Sequence, residues 1–279
     1  MPELERPSGL LLSYETAGDP ATPPVILLHG FTSDSRMWQP QIPALAASYF
    51  VVAPDLRGHG RSDAPADPAD STMDDFAQDL LALFDALEIE LGVLVGCSFG
   101  GMIAAQFAVN WPQRLAGLVL SDASAAYEHP SYAEAYRRRE ARMLESEDLV
   151  ARFGAGELGK RAAARVSDPF LASALRDRYA RMSTRGYLGA SRVRRERPDL
   201  LPLLRDTLTM PVLICTGSDD PVHSASLTMA AEVPGARVVT FRGKGHGLPA
   251  LAPAAFTDTL LAFLADIESG NTIAGDLAI

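Results

Sequence analysis

The stretch Val93-Leu-Val-Gly-Cys-Ser-Phe-Gly-Gly101 constrains this chain more than any other. Within it, Gly96-Cys97-Ser98-Phe99-Gly100 matches the pattern G-x-S-x-G. It lies between a short apolar run, Val93 to Val95, and a small-residue stretch, Met102 to Val109, that predicts a helix. Strand, sharp turn and helix is the context in which such a serine stands exposed above a sheet, so Ser98 is the candidate nucleophile. At Gly96 and Gly100 a Cβ would meet the strand or the helix, which explains the glycines. The helix also aims unpaired N–H groups at the turn, where negative charge can be stabilised. Five residues alone fit an ordinary Gly-rich loop equally well, so the rest of the chain has to decide.

With 279 residues, 47% of them hydrophobic, the chain can bury a large core and suits one large domain with an insertion. No apolar run approaches the roughly 20 residues of a membrane span. The opening Met1-Pro-Glu-Leu-Glu-Arg6 lacks the basic-then-apolar layout of a signal peptide. A cytoplasmic location without membrane association is expected. Two cysteines, Cys97 and Cys215, make neither a disulfide framework nor a Cys-rich metal site. The net charge of -10 argues against a nucleic-acid partner, which needs a basic face. The charge is unevenly spread: residues 125 to 207 hold 17 of the 25 Lys and Arg but only 12 of the 35 Asp and Glu. That stretch is therefore basic and the remainder strongly acidic, as for a differently built segment.

Strands are expected at Leu10 to Tyr14, Val25 to Leu28, Phe50 to Ala53, Val93 to Val95, Leu115 to Leu120, Pro211 to Thr216 and Arg237 to Phe241. Helices are expected from Met37 to Ala47, Ser71 to Glu88 (Ser71 capping, with Asp74 three residues on), Met102 to Val109, Ser224 to Val233, and through Phe256 to Ile267. This alternation implies an open, mostly parallel sheet covered on both faces. It lapses between Ser121 and Pro211, where Tyr132 to Glu147, Glu147 to Phe153, Pro169 to Thr184 and Arg185 to Arg197 are helical in composition. The expected division is a core of 1–122 and 208–279 with a helical cap of 123–207. Cap arginines such as Arg137, Arg138, Arg139, Arg192, Arg194, Arg195 and Arg197 fit a solvated helix face better than a clamp for a substrate carboxylate. Gly270 to Ile279 reads as a frayed tail.

Loops that follow parallel strands converge on one sheet edge, so distant residues can meet Ser98. His29, after an early strand, suits a loop-fixing role, and the Phe31 and Phe99 amides are candidate oxyanion donors. Asp55 to Asp63 holds one histidine and scattered charges but no phosphate-binding spacing, and reads as a hydrogen-bonded loop. His129 opens the cap, and His223 lies too near the late carboxylates to complete a relay. His246, between two glycines after the last strand, is the candidate base. Asp220, ahead of Pro221, is preferred over Asp219 as the acid, with Asp122 as the fallback. Together Ser98, Asp220 and His246 would form a nucleophile, orienting acid and base in the order expected of this arrangement.

His29-Gly-Phe31, Asp55-Leu-Arg-Gly-His-Gly-Arg-Ser62, Gly96-Cys-Ser-Phe-Gly-Gly101, Gly217-Ser-Asp-Asp-Pro221 and Gly245-His246 together resemble the α/β-hydrolase fold family, over residues 10 to 268. The resemblance implies a mostly parallel eight-stranded sheet flanked by helices, with a helical cap. Gly186-Tyr-Leu-Gly-Ala190, Leu200 to Leu204 and Met37-Trp-Gln-Pro-Gln41 are similar to 3-oxoadipate enol-lactonases and related esterases, and place Trp38 and Tyr187 at a substrate pocket. A serine at the elbow departs from haloalkane dehalogenases and epoxide hydrolases, relatives that need a carboxylate nucleophile. The expected activity is hydrolysis of a small-molecule carboxylic ester or lactone through an acyl-enzyme, with no cofactor and no metal, by a monomer or homodimer. C–C bond hydrolysis of a vinylogous diketone, a perhydrolase activity and a slow-turnover ligand receptor are the alternatives.

Overall fold

The computed structural model describes residues 2–125, 133–271 and 273–279. His129 and the start of the helix expected at Tyr132 lie outside them. Among the described residues the strands are β1 (Glu3–Glu5), β2 (Leu11–Ala17), β3 (Pro24–Leu28), β4 (Phe50–Pro54), β5 (Gly92–Cys97), β6 (Leu115–Ser121), β7 (Val212–Gly217), β8 (Arg237–Phe241) and β9 (Gly275–Ala278). They form one sheet in the order β1-β2-β4-β3-β5-β6-β7-β8-β9. Only β1–β2 and β2–β4 are antiparallel; the other neighbours run parallel.

Nine strands stand where the resemblance implied eight, and two of them, β1 and β9, lie outside the seven segments expected from the pattern. β1 is a three-residue strand of alternating charge, too short to show a hydrophobic period. β9 lies in the segment expected to fray, and pairs in parallel with β8 from Arg237↔Gly275 to Thr240↔Ala278. All four of its residues are exposed, so backbone pairing holds it and no apolar pattern announces it.

The α-helices are α1 (Ile42–Leu45), α2 (Met73–Ala86), α3 (Phe99–Asn110), α4 (Ala133–Phe153), α5 (Ala155–Ala163), α6 (Pro169–Ala180), α7 (Thr184–Glu196), α8 (Leu201–Thr207), α9 (His223–Glu232), α10 (Leu248–Leu251) and α11 (Pro253–Glu268). None of the described helices is long and apolar enough to cross a membrane. Period-2 alternation along the central strands builds two cores. Ile26, Leu28, Leu94, Leu118 and Leu120 face α2 and α3, whereas Val25, Leu27, Val93, Val95 and Val119 face α11 through Phe256, Leu260 and Phe263. The α2 cap sits one residue later than expected. Thr72 and Asp75 form the reciprocal capping box, and Ser71 is left to accept from Arg57.

Between β6 and β7 the regular structure among the described residues is all helical. The break expected at Glu147 is absent, since α4 runs through it, and α5 and α8 are additional helices. This insertion has its own small core of Val150, Ala155, Met182 and Tyr187, which reaches Phe31 of the main domain. It also touches the main domain backbone to backbone: a Cβ on Gly186 would lie 2.8 Å from the Gly58 Cα, and one on Gly58 2.6 Å from the Gly186 Cα.

The elbow is packed in the same way. A Cβ on Gly96 would stand 2.6 Å from the Gly101 Cα, and one on Gly100 2.6 Å from the Leu28 carbonyl carbon. Gly96→Ala is therefore expected to lower stability by about 3 kcal/mol or more, because only backbone could yield. At Gly245, where nothing lies within 4 Å, the same change is expected to cost less than about 0.5 kcal/mol. Urea melts of the two variants check this; equal midpoints would contradict the packing argument.

Candidate active site

Ser98 is the one residue between β5 and α3, and its φ of 54° and ψ of -111° are a strained combination for any residue with a Cβ. The strain is held by regular structure on both sides. Its N–H donates to the Ser121 carbonyl at 2.8 Å, and its carbonyl accepts from the Met102 N–H as α3 begins. The side chain is thereby turned out of the sheet edge, leaving the residue 7% exposed.

His246 Nε2 lies 2.8 Å from Ser98 Oγ, and His246 Nδ1 lies 2.9 Å from Asp220 Oδ2 and 3.1 Å from Oδ1. A carboxylate only accepts, so Nδ1 carries the hydrogen and Nε2 offers its lone pair to the serine hydroxyl. Burial would raise the Asp220 carboxyl, but the hydrogen bond and charge of His246, with the Val222 N–H, hold it below the usual carboxylate range. Asp219 is exposed and accepts from the Ser218 hydroxyl, which leaves Asp220 as the member turned inward.

Three loops must be brought together for this, and specific contacts do so. Gly217 lets the loop after β7 lie against the loop after β8, since a Cβ there would be 2.7 Å from the Gly245 carbonyl oxygen. The Asp219 N–H then donates to the Lys244 carbonyl and the Ser218 N–H to that of Phe241. On the other side, Asp122 Oδ2 accepts from the Gly247 N–H at 3.0 Å and the Leu248 N–H at 2.8 Å. Asp122, the fallback acid, therefore grips the backbone after His246, while Asp220 holds the ring. The pattern could have indicated this anchor, because Asp122 directly follows β6 at the same sheet edge as Ser98.

Phe31 and Phe99 flank the serine. The Gly30 Cα faces the Ser98 Cβ closely enough that an added methyl would sit 3.5 Å from it. Neither the Phe31 nor the Phe99 N–H donates to another backbone group among the described residues. His29 fixes this loop: Nδ1 pairs with the Gly30 carbonyl at 2.8 Å, and Nε2 accepts from the Leu56 N–H at 3.0 Å. The loop from Asp55 to Asp63 is likewise hydrogen-bonded throughout, with Asp55 accepting from the Ser35 and Arg61 N–H groups and Arg57 forming a two-pronged pair with Asp79. Burial pushes the His59 imidazole down to about 3, so it stays neutral.

Trp38 does not line the pocket. Its side chain is 0% exposed and packs on Phe256 in the core on the α11 side of the sheet. An apolar residue beside a turn has the same sequence signature whether it faces a cavity or the interior. Tyr187 is also buried, but its ring lies 4.9 Å from that of Phe31, where the insertion meets the site. Above Asp220 and His246 opens a cleft of about 400 Å³, walled by Arg138, Arg139, Arg142, Pro221 and Val222.

Against known proteins, the model of the alpha/beta hydrolase fold family matches residues 23–253. The chain belongs to the α/β-hydrolase fold family. Epoxide hydrolase 4 of Mus musculus is 36% identical over 140 residues, which are 50% of this hydrolase and only 38% of that relative. The 3-oxoadipate enol-lactonase 2 of Acinetobacter baylyi is 29% identical over 222 residues, 77% of this chain and 78% of its own. Among solved structures, a thermophilic esterase from Thermogutta terrifontis, with malate bound, superposes with a TM-score of 0.82 at 29% identity, covering 95% of this hydrolase and 98% of the esterase.

The Asp122 anchor carries a pH signature. Burial chiefly pushes its carboxyl up from 3.8 to about 6, against the opposing pull of the Leu248 N–H and His246. Between these two values the native state holds a proton that the unfolded chain has released, so stability falls as pH rises through the interval. Asp122→Asn cannot titrate. Its stability relative to wild type is therefore expected to rise by roughly 1–3 kcal/mol between pH 4 and pH 7. Urea melts at the two pH values check this, and a difference independent of pH would contradict it.

Proposed function

We propose that this hydrolase cleaves a carboxylic ester or lactone through an acyl-enzyme on Ser98. The observation that carries the reading is the unbroken hydrogen-bond chain from Asp220 through His246 to the Ser98 hydroxyl, with Asp220 and His246 lining the cleft. His246 Nε2 takes the serine proton as Oγ adds to the substrate carbonyl carbon, and the carbonyl electron pair moves to oxygen. The Phe31 and Phe99 N–H groups are the donors assigned to that oxyanion in this reading, a contribution of about 3 kcal/mol per donor in comparable sites. Collapse expels the alkoxide, which His246 protonates; in a lactone it remains tethered to the acyl group. Water then gives a proton to His246 and its oxygen to the acyl carbon, releasing the acid and restoring Ser98.

The similarity to an enol-lactonase and to an esterase, each across most of the chain, supports an ester or lactone carbonyl over other electrophiles. Asp220 keeps Nδ1 protonated and supports the imidazolium that forms, consistent with its lowered carboxyl. Multiple-turnover hydrolysis of a short-chain aryl ester and of a γ-lactone tests the reading. Wild type is expected to turn over at least one of them, and Ser98→Ala to lose about 10³-fold or more in kcat. Turnover that survives the alanine, or a stop after one equivalent, would exclude an acyl-enzyme catalyst of this kind.

A further inference from the structure

The cleft above the triad continues into a second hollow. Arg138, Arg139 and Arg142 of α4 wall the 400 Å³ cleft, and Arg142 also walls a groove of about 510 Å³ between α4 and α5. Arg152, Arg161 and Arg165 line that groove. Arg139 and Arg152 stand thirteen residues apart on α4. At about 1.5 Å per residue the path is about 20 Å long. Six arginines thus face three lining carboxylates, Asp220, Glu145 and Asp148, in a chain of net charge -10.

These arginines are open to a ligand. Arg138, Arg152 and Arg161 pair with Glu134, Asp148 and Glu157 one helical turn away, contacts that hold little at a solvated surface. Among the described residues Arg139, Arg142 and Arg165 form no ion pair. Arg194 of α7 adds to the positive field: burial first, then Arg139 and Arg197, push its guanidinium down to about 9, which leaves it a cation at neutral pH. Arg194 and Arg197 are 7% and 6% exposed, so the solvated-face expectation fails for both. Arg194 instead places its Cζ 4.1 Å from the centre of the Phe31 ring.

Two further observations say what the path would hold. At its outer end Phe153 is 62% exposed, although Arg161 sits 5.9 Å above its ring. An exposed aromatic face among guanidinium groups suits a nucleobase beside its phosphates. At the inner end, His246 and Asp220 line the arginine cleft. His246 Nε2 protonates the departing atom, so the leaving group lies on this side of the scissile bond.

We propose that this path holds the leaving group. The substrate is then an acyclic acyl ester or thioester whose alcohol or thiol ends an arm of about 20 Å bearing a multiply phosphorylated nucleoside. This rests on the ester reading of the Ser98 site and selects its acyclic half, since a lactone has no separate leaving group. Ser98 Oγ bonds to the acyl carbon and the C–O or C–S bond breaks. His246 gives the departing oxygen or sulfur its proton, and water then releases the acid.

The test compares butyryl-coenzyme A with S-butyryl-N-acetylcysteamine, which has the same scissile bond and no phosphate. Wild type is expected to prefer the coenzyme at least about 30-fold in kcat/KM, chiefly through KM, and to lose most of that preference in about 0.5 M salt. Arg142→Glu should reduce it to within about 3-fold, and Phe153→Ala should lower it about 5-fold. Both side chains are exposed, so both variants keep the fold. A wild type that treats the pair alike, or variants that keep the full preference, would overturn the path and leave the ester reading intact. If neither thioester is cleaved, calorimetry with coenzyme A and pantetheine decides. Binding of the coenzyme alone, lost in Arg142→Glu, upholds the path, with an oxygen ester as the substrate where the aryl ester is turned over; equal or absent binding overturns it. Failure on the aryl ester and the γ-lactone as well sinks the ester reading separately.

Discussion

The approach of the first turn of α3 to the end of β3 is the contact on which this site depends. Gly100 rests against the Leu28 carbonyl and Gly96 against Gly101, with no room for a side chain between them. That closeness forces the chain to reverse within a single residue, and the reversal puts Ser98 in its strained conformation with the hydroxyl outward. It also sets the loop of His29 and Phe31 against the start of α3. The conformation of Ser98 is thus a by-product of dense backbone packing, and the strain is sustained by the buried strands β3, β5 and β6 around it.

Asp220 and His246 come from loops with less regular structure behind them, and they are held differently. Asp220 fixes the imidazole, while Asp122 fixes the backbone after it, so two carboxylates from two strands share the work on one loop. Their environments push the two groups in opposite directions, with Asp220 held as an anion and Asp122 drawn toward its neutral form. Two full negative charges in one low-dielectric pocket would repel, and this separation relieves that.

Much of this arrangement could be read in the sequence because it rests on local rules. Glycines at close approaches, apolar runs for buried strands and the order of Ser98, Asp220 and His246 are all imprinted within a few residues each. Where prediction failed, the deciding term was not local. β9 is held by backbone pairing alone, so its exposed residues show no period. Trp38 carries no mark to distinguish a core side from a cavity side. Arg194 differs from Arg192 and Arg195 only in the direction it faces on α7, which becomes visible once the helix register is tied to the buried Tyr187.

The insertion carries the arginines, yet it is not an independent lid. Gly58 and Gly186 meet backbone to backbone, the first in the loop after β4 and the second in the opening turn of α7. Any side chain at either place would lift α7 away from the loop, and with it the guanidinium that lies over Phe31. A foreign cap grafted onto this sheet would inherit that spacing requirement before it could offer a new selectivity. Divergence of the insertion is thereby channelled: its outer helices are at liberty to change, while one pair of glycines acts as a fixed datum from which the depth of the binding cleft is measured.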